Sequence, residues 1–209
     1  MRDKITYLGQ SYPVDLDKGL VGTLTDEEIE KYSKGVNQRI NYEDGNNNNI
    51  YFQENYAIRS SKYQSSSQSI NICLKNFLIG NDLRINGLNA PKMFGIYFGK
   101  EAEKPFLIME RKKLIFHYEL NPEIQERLKE EIKQELKKIR LMGYQPQDHF
   151  CNFRFESEKG RGVFFDFDNW ESEHFIPQLN EKGELIIQNP VRMFSRNPQR
   201  NKQEGELIR

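Results

Sequence analysis

The chain has few of the residues that build disulfide frameworks, zinc sites or membrane spans. Its 209 residues include only two cysteines, Cys73 and Cys151, and three histidines that are isolated from one another. Neither cysteine has the spacing of a zinc ligand, and two cysteines do not make a disulfide framework. No apolar run approaches the length of a membrane span, and the amino-terminal residues lack the apolar core of a signal peptide. We therefore expect a soluble, cytoplasmic protein with no membrane partner.

The chain also lacks an excess of charge of either sign. Its 31 basic residues balance its 31 acidic residues, so no overall field attracts nucleic acid or an anionic membrane, and no nucleic-acid partner is indicated. The length allows one domain or two small lobes with a real hydrophobic core.

The clearest secondary-structure pattern is a long helix after residue 121. Asn121 is a suitable cap and Pro122 a suitable first helical residue. Apolar residues then recur at spacings of three and four until Gly143, a typical stop signal. A second helix is expected over residues 70–83 from the same spacing. The first 30 residues are expected to form a short helical extension with Thr25 as its cap.

A predicted β-hairpin follows the long helix and ends in acidic residues. Its strands cover residues 153–155 and 163–167, and the second strand is apolar until it reaches Asp166-Phe167-Asp168. Asn152 precedes the first strand, so the hairpin can bring an amide oxygen and a carboxylate to one point. These are the few protein oxygens that a nucleotide-bound Mg²⁺ uses, with phosphates and water completing its shell.

This stretch resembles the protein-kinase-like superfamily, in which a catalytic loop H-x-D-x-x-x-x-N precedes a hairpin and a D-F-G motif. Asn152 matches the loop asparagine, and Asp166-Phe167-Asp168 matches D-F-G with Asp in place of Gly. The resemblance therefore implies a metal site at Asn152, Asp166 and Asp168. It places Gln147 at the catalytic aspartate position, with Asp148 one residue later, so both are catalytic candidates.

The amino-terminal half carries shorter matches to the same pattern. Tyr56-Ala57-Ile58-Arg59 resembles the V-A-I-K strand, which implies Arg59, or Lys62 just beyond it, as the cation that contacts phosphates. The helix acid that pairs with this cation in the family has no counterpart, and Asn76 best fits its position. The phosphate loop would be residues 33–38, which retain one glycine, Gly35.

The hinge between the lobes would lie at the end of residues 106–110. This segment resembles the apolar strand ending in Met-Glu that small kinases carry, and Glu110 would offer backbone groups to an adenine edge. The resemblance covers roughly residues 32–170. It depends more on the order of the elements than on any single motif.

The resemblance implies an α+β fold of two lobes, with a reduced carboxyl lobe. We divide the chain into an extension (1–30), a small lobe of sheet plus helix (31–109), a minimal helical lobe with the catalytic-loop-like hairpin (110–195) and a polar tail (196–209). The implied function is an atypical phosphotransferase that uses ATP and Mg²⁺ on a hydroxyl of a protein or small molecule. One alternative is an impaired pseudokinase that binds nucleotide or a partner protein. Another is a D-x-D metal-dependent nucleotide-sugar transferase.

Overall fold

An antiparallel sheet of eight strands forms the centre of the fold. The computed structural model describes residues 3–44, 48–62, 66–147, 153–180 and 184–186. The strands of the large sheet, in chain order, are β1 (Asp3–Tyr7), β2 (Gln10–Asp15), β3 (Leu20–Gly22), β4 (Tyr42–Asp44), β5 (Asn48–Gln53), β6 (Tyr56–Ser61), β7 (Met93–Tyr97) and β8 (Phe106–Glu110). Their spatial order is β1-β2-β3-β7-β8-β6-β5-β4, and neighbouring strands are antiparallel throughout.

In the described part of the chain, three α-helices accompany the sheet: α1 (Asp26–Asn37), α2 (Ser66–Ile85) and α3 (Pro122–Leu141). Thr25 caps α1 by a capping box, in which its hydroxyl accepts the Glu28 N–H at 3.2 Å and the Glu28 carboxylate accepts the Thr25 N–H at 2.9 Å. Asn121 caps α3 by accepting the N–H of Ile124 at 2.9 Å. The expected α+β class and these helix starts are therefore confirmed.

Helices α1 and α2 cover opposite faces of the sheet. Phe106 and Ile108 of β8 pack in the cluster that contains the apolar residues of α1, whereas Leu107 packs in the cluster that contains α2. This follows from the strand geometry, because successive side chains point to opposite faces. The α2 face holds the residues of the candidate site.

The remaining elements build a second layer next to α2. They are β9 (Leu114–Ile115), a 3₁₀ turn (His117–Glu119), β10 (Tyr144–Gln145), β11 (Phe153–Glu156), β12 (Arg161–Phe164), β13 (Glu171–Ser172), β14 (Gln178–Leu179) and β15 (Leu185–Ile186). The expected hairpin is present as β11 and β12, and β9 pairs with the other edge of β11. Helix α3 buries Leu128 and Ile132 in the same core as Phe164 and Trp170.

Two local predictions were wrong. The helical extension expected in the first 30 residues is limited to the start of α1, because residues 3–22 form β1, β2 and β3, which join the large sheet through the pairing of β3 with β7. The loop expected at residues 33–38 lies in the last turns of α1, where Gly35 is buried. A Cβ at Gly35 would collide with the side-chain amide of Gln53, so the glycine here permits close packing rather than a phosphate-binding loop.

The division into lobes stays a prediction, and the tail at 196–209 lies outside the described residues. In the part of the chain that the structure describes, no helix is both long and apolar enough to cross a membrane.

Candidate functional site

Arg59 is the centre of the candidate site. It lies in the middle of β6, between Ile50 of β5 and Leu107 of β8, and its side chain is only 5% exposed. Nη2 donates to the Asp166 carboxylate at 2.8 Å and also to the carboxylate of Asp168. Burial alone would lower the pKa of Arg59, but the two carboxylates outweigh burial and raise it. Arg59 is therefore a permanently charged, buried cation in contact with two acids that lie more than 100 residues later in the sequence.

The two acids reach Arg59 because the loop after β12 has a fixed shape. Asp166 has a φ of +60°, a left-handed conformation that costs a non-glycine residue free energy. Phe167 is fully buried and packs edge-on against Trp170 at a centroid distance of 4.8 Å. A Cβ at Gly80 of α2 would lie 3.0 Å from the Phe167 ring, so glycine lets the helix approach. The buried ring holds the loop, and the acids on either side of it turn toward Arg59.

Helix α2 holds the same loop through Asn76 and Lys75. The Asn76 amide donates to the Asp168 carboxylate at 2.5 Å, and its carbonyl oxygen accepts the main-chain N–H of Phe167 at 2.8 Å. The Lys75 ammonium donates to the main-chain carbonyl of Asp168 at 2.7 Å. The sequence pattern predicts Asn76 beside Arg59, and the structure shows that Asp168 lies between them. We call Arg59, Lys75, Asn76, Asp166 and Asp168 the Arg59 cluster.

The two carboxylates of the cluster differ in their surroundings. Burial opposes ionisation of Asp168, but Arg59 and the amides of Asn76 and Asn48 outweigh burial and hold its pKa below the usual value. Burial dominates at Asp166 and raises its pKa, although Arg59 opposes the shift. The Asp166 side chain is nevertheless 38% exposed, against 17% for Asp168. Asp168 is thus an internal anion, and Asp166 is the acid that faces solvent.

The other predicted site residues lie around the cluster or outside the described part. Lys62 directly follows β6 and is half-buried, and Gln147 is exposed after β10. Glu110 ends β8, where its N–H donates to the carbonyl of Lys92 at 2.8 Å and its carboxylate lies 3.2 Å from the ammonium of Lys112. Asp148 and Asn152 lie outside the described residues.

The Arg59 cluster is better suited to bind a divalent cation through one of its two acids than through both. Mg²⁺ binds few protein oxygens and keeps several water or phosphate ligands. Asp166 offers a partly exposed carboxylate, whereas the Asp168 carboxylate accepts from Arg59, Asn76 and Asn48. Across the described ranges, no group of three or more acidic, histidine or cysteine side chains converges on one point. Among the described residues, a metal here would therefore depend on Asp166, with water or phosphate completing its shell.

A row of stacked planar side chains begins next to Asp166, and sequence analysis missed it. The guanidinium of Arg154 lies 5.4 Å from the ring centroid of Phe165 and 4.5 Å from that of Phe116. Phe116 in turn stacks on Tyr118 at 5.3 Å with an interplanar angle of 20°. The sequence of β11 could have indicated this row. Phe153 and Phe155 are both apolar, and successive side chains of a strand point to opposite faces, so Arg154 must lie on the other face from them. We call Phe165, Arg154, Phe116 and Tyr118 the stacked row.

A separate cleft of about 630 Å³ shares no lining residue with the Arg59 cluster. It lies beside α1 and is lined by acidic residues together with Lys18, Lys100, Ile29 and Tyr97. Lys18 is already paired with Asp26 at 2.7 Å. Neither the charges nor the shape of this cleft identify a ligand.

Comparison with known proteins finds similarity only to solved structures. No family model matches the chain, and no curated protein does. Among solved structures, it is similar to a co-crystal structure of WbdD with the kinase inhibitor LY294002, with a TM-score of 0.45 and 14% sequence identity. The match covers 62% of this chain and 32% of that protein, so the chain spans about a third of its length. A similarity at this level carries no argument about function.

Proposed function

We propose that this chain binds ATP with Mg²⁺ at the Arg59 cluster and acts as an atypical kinase-like phosphotransferase on a hydroxyl group. The observation that carries the proposal is the meeting of Arg59, Asp166 and Asn76. The kinase-like pattern assigned Arg59 as the cation that contacts phosphate, Asp166 as the acid that binds metal, and Asn76 as the helix partner of the cation. They come from β6, from the loop after β12 and from α2, and they lie within one hydrogen-bonded cluster.

The charges of the cluster indicate the order in which ligands bind. Arg59 and Lys75 formally carry two positive charges against the two negative charges of Asp166 and Asp168, so the cluster has no net charge with which to attract a polyphosphate. Bound Mg²⁺ would make the cluster positively charged and would neutralise charge on the transferred phosphoryl group. Arg59 would then contact phosphate oxygens through guanidinium nitrogens, a geometry that a planar fork favours. Nucleotide binding should therefore require the divalent cation.

The stacked row supports a nucleotide as the ligand. It starts at Phe165, the residue before Asp166, and it ends at Tyr118, whose ring is 74% exposed. Purine rings stack on aromatic side chains and on guanidinium planes with a gain of about 1–3 kcal/mol per base. We propose that the base of a nucleotide with its phosphates at Asp166 stacks on this row.

In the transfer step, the oxygen of the acceptor hydroxyl forms a bond to the γ-phosphorus, and the bond from that phosphorus to the β–γ bridging oxygen breaks. The products are ADP and a phosphate monoester, and the hydroxyl proton passes to a base. We assign this role to Asp148, the acid nearest the catalytic position in the sequence pattern. Such transfer depends mainly on positioning and charge neutralisation, so a displaced acid is compatible with activity.

The second candidate is a pseudokinase that binds nucleotide or a partner protein without transfer. The observation in its favour is that Arg59 is held by two carboxylates, while α2 contributes a neutral Asn76 and the exposed Gln147 occupies the catalytic aspartate position. The nucleotide-sugar transferase loses its structural support, because it needs a nucleotide-binding α/β half and every described strand pair of the large sheet is antiparallel.

Calorimetric titration of the whole chain with ATP, with and without Mg²⁺, tests the binding proposal. Asp166→Asn keeps a residue that tolerates the left-handed backbone while removing the charge. We expect it to weaken Mg²⁺-dependent ATP affinity by about tenfold or more, which is about 1.4 kcal/mol. Glu130→Gln on the exposed face of α3 is the control and should match the parent. If the parent binds no ATP, or if Asp166→Asn binds it equally well, the site is wrongly assigned.

Turnover of labelled ATP separates the two candidates. Loss of turnover in Asp148→Asn with retained ATP affinity would support the phosphotransferase. A parent without turnover that gains it on Gln147→Asp would support the pseudokinase.

A further inference from the structure

The Arg59 guanidinium needs a permanent counterion, and its neighbouring helix does not supply one. Arg59 is nearly fully buried, and an uncompensated charge in such a place costs several kcal/mol. Helix α2 packs against β6 and presents Asn76, whose amide is neutral. Asn76 cannot balance the charge, so the balancing acid must come from another element.

Asp168 has the contacts of such a counterion. Its carboxylate accepts from Arg59 and from the amides of Asn76 and Asn48, while Lys75 holds its main-chain carbonyl. The acid is thus fixed on several sides and is largely shielded from water. Asp166 differs, because its side chain faces solvent for more than a third of its surface.

We propose that Asp168 is a positioning residue that takes the place of a helix acid, while Asp166 alone of the two binds the incoming cation. This inference rests on the proposed nucleotide site and assigns different roles to its two acids. Asn76 then acts as a bridge, since one end of its amide orients the Asp168 carboxylate and the other end holds the N–H of Phe167. The counterion of Arg59 therefore lies on the loop and not on helix α2.

This arrangement couples the position of Arg59 to the shape of the loop. A counterion on α2 would hold Arg59 whatever the loop did. With Asp168 as the counterion, displacement of the loop removes both the acid that positions Arg59 and the acid that binds the cation. Asp168, at the third position of the D-F-G-like motif, and Asn76 then act together at Arg59.

Moving the acid back to the helix tests the proposal. Asp168→Asn keeps the shape of the side chain but removes its charge, and we expect Mg²⁺-dependent ATP affinity to fall about tenfold. Adding Asn76→Asp or Asn76→Glu should restore at least part of this loss, because either one returns a carboxylate to the Arg59 cluster. Asn76→Asp is the smaller change, and it guards against misfolding of the longer side chain. Circular dichroism and a cooperative melting curve establish that each variant is folded.

Two results would overturn the proposal. It fails if folded Asp168→Asn binds ATP like the parent while Asp166→Asn does not. It also fails if neither substitution at Asn76 restores any affinity to a folded Asp168→Asn chain.

A readout without nucleotide separates this inference from the proposed function. In NMR spectra of the ligand-free chain, the guanidinium resonances of Arg59 should show a slowed proton exchange with solvent that is lost in Asp168→Asn and retained in Asp166→Asn. If the parent binds no nucleotide but this difference is present, the proposed function fails and the role of Asp168 stands. If exchange depends on Asp166 instead, the role of Asp168 fails.

Discussion

The ammonium of Lys112 lies 3.0 Å from the carboxylate of Glu156, and the two side chains are only 2% and 4% exposed. This pair joins the segment after β8 to the hairpin of β11 and β12. Asn89 donates to the second carboxylate oxygen of Glu156 at 3.0 Å, and Glu110 lies 3.2 Å from the same ammonium. The predicted hinge residue Glu110 is therefore part of a buried polar network.

Lys112→Met should lower the free energy of unfolding by about 3 kcal/mol, because it leaves the buried Glu156 carboxylate without its main counter-charge. Chemical denaturation measures this change. Lys113→Met is the matched control, since Lys113 pairs with Glu158 at 3.0 Å but is 76% exposed, and it should cost less than about 1 kcal/mol. Equal effects of the two substitutions would show that the buried pair contributes no more than a surface pair.

Alkaline pH should destabilise the fold through a buried chain of hydroxyl groups. Tyr144 donates to the Asp82 carboxylate at 2.7 Å, and the Tyr7 and Tyr144 hydroxyl groups are 2.9 Å apart. Burial raises the pKa of both tyrosines, so the folded state retains protons that the unfolded state loses. Stability is therefore fully present below about pH 10, the usual tyrosine value, and falls as the pH rises above it.

Tyr144→Phe should make this alkaline decline shallower, and it should also cost about 1–3 kcal/mol at neutral pH because Asp82 loses a buried donor. The measurement is the free energy of unfolding from urea titrations across this pH range. Tyr118→Phe, at a largely exposed ring, should behave as the parent does. If the free energy of unfolding of Tyr144→Phe fell with rising pH as steeply as that of the parent, the alkaline destabilisation would not arise from Tyr144.

The thiol of Cys73 should be inert in the folded protein. The residue is buried in α2, and burial raises its pKa to about 12 although Arg59 opposes the shift. The reactive thiolate is therefore scarce at neutral pH and also inaccessible. Alkylation followed by peptide mapping should label Cys73 only at the rate of unfolding. Rapid labelling under native conditions would show that α2 opens locally.

The parts of the fold that were predictable have local causes. Helix α3 could be placed from the Asn121 cap, Pro122 and the apolar spacing, and the hairpin from its apolar strand and Gly-containing turn. The error at Gly35 arose because residues 33–38 were matched to the glycine-rich loop of the kinase-like pattern, whereas Gly35 lies in a helix, where its lack of a side chain permits packing against Gln53. The joining of β1, β2 and β3 to β7 depends on pairing between distant segments, which local sequence does not specify.

The candidate site could be predicted from the sequence even less completely than the fold. The sequence pattern identified Arg59, Asn76 and Asp166 separately and grouped Asp168 with the metal ligands. The contact of Arg59 with Asp168 joins residues 109 positions apart, and it depends on how β6, α2 and the loop pack together. The different roles proposed for the two acids follow from burial, which a motif does not record.

The stacked row should contribute to affinity for the base but not for the phosphates. Phe116→Ala removes the central ring of the row, so we expect ATP affinity to fall about tenfold while affinity for inorganic triphosphate stays the same. Phe175→Ala, at another partly exposed phenylalanine, is the control. Calorimetry with both ligands in the presence of Mg²⁺ provides the comparison. An equal loss of affinity for both ligands would show that Phe116→Ala acts through the Asp166 loop and not through stacking on the base.

Arg59 should be replaceable by lysine but not by an uncharged residue. Arg59→Met removes the guanidinium that both Asp166 and Asp168 contact, so it should cost about 3–5 kcal/mol of stability and abolish Mg²⁺-dependent ATP binding. Arg59→Lys retains a donor for Asp168 but loses the planar fork, and we expect ATP affinity to remain within about tenfold of the parent. Arg111→Met removes an exposed arginine that lies over the Phe52 ring, and it should cost about 1 kcal/mol or less. If Arg59→Met bound ATP as well as Arg59→Lys did, the buried cation would serve stability alone, and the phosphate contact would have to come from another residue such as Lys62.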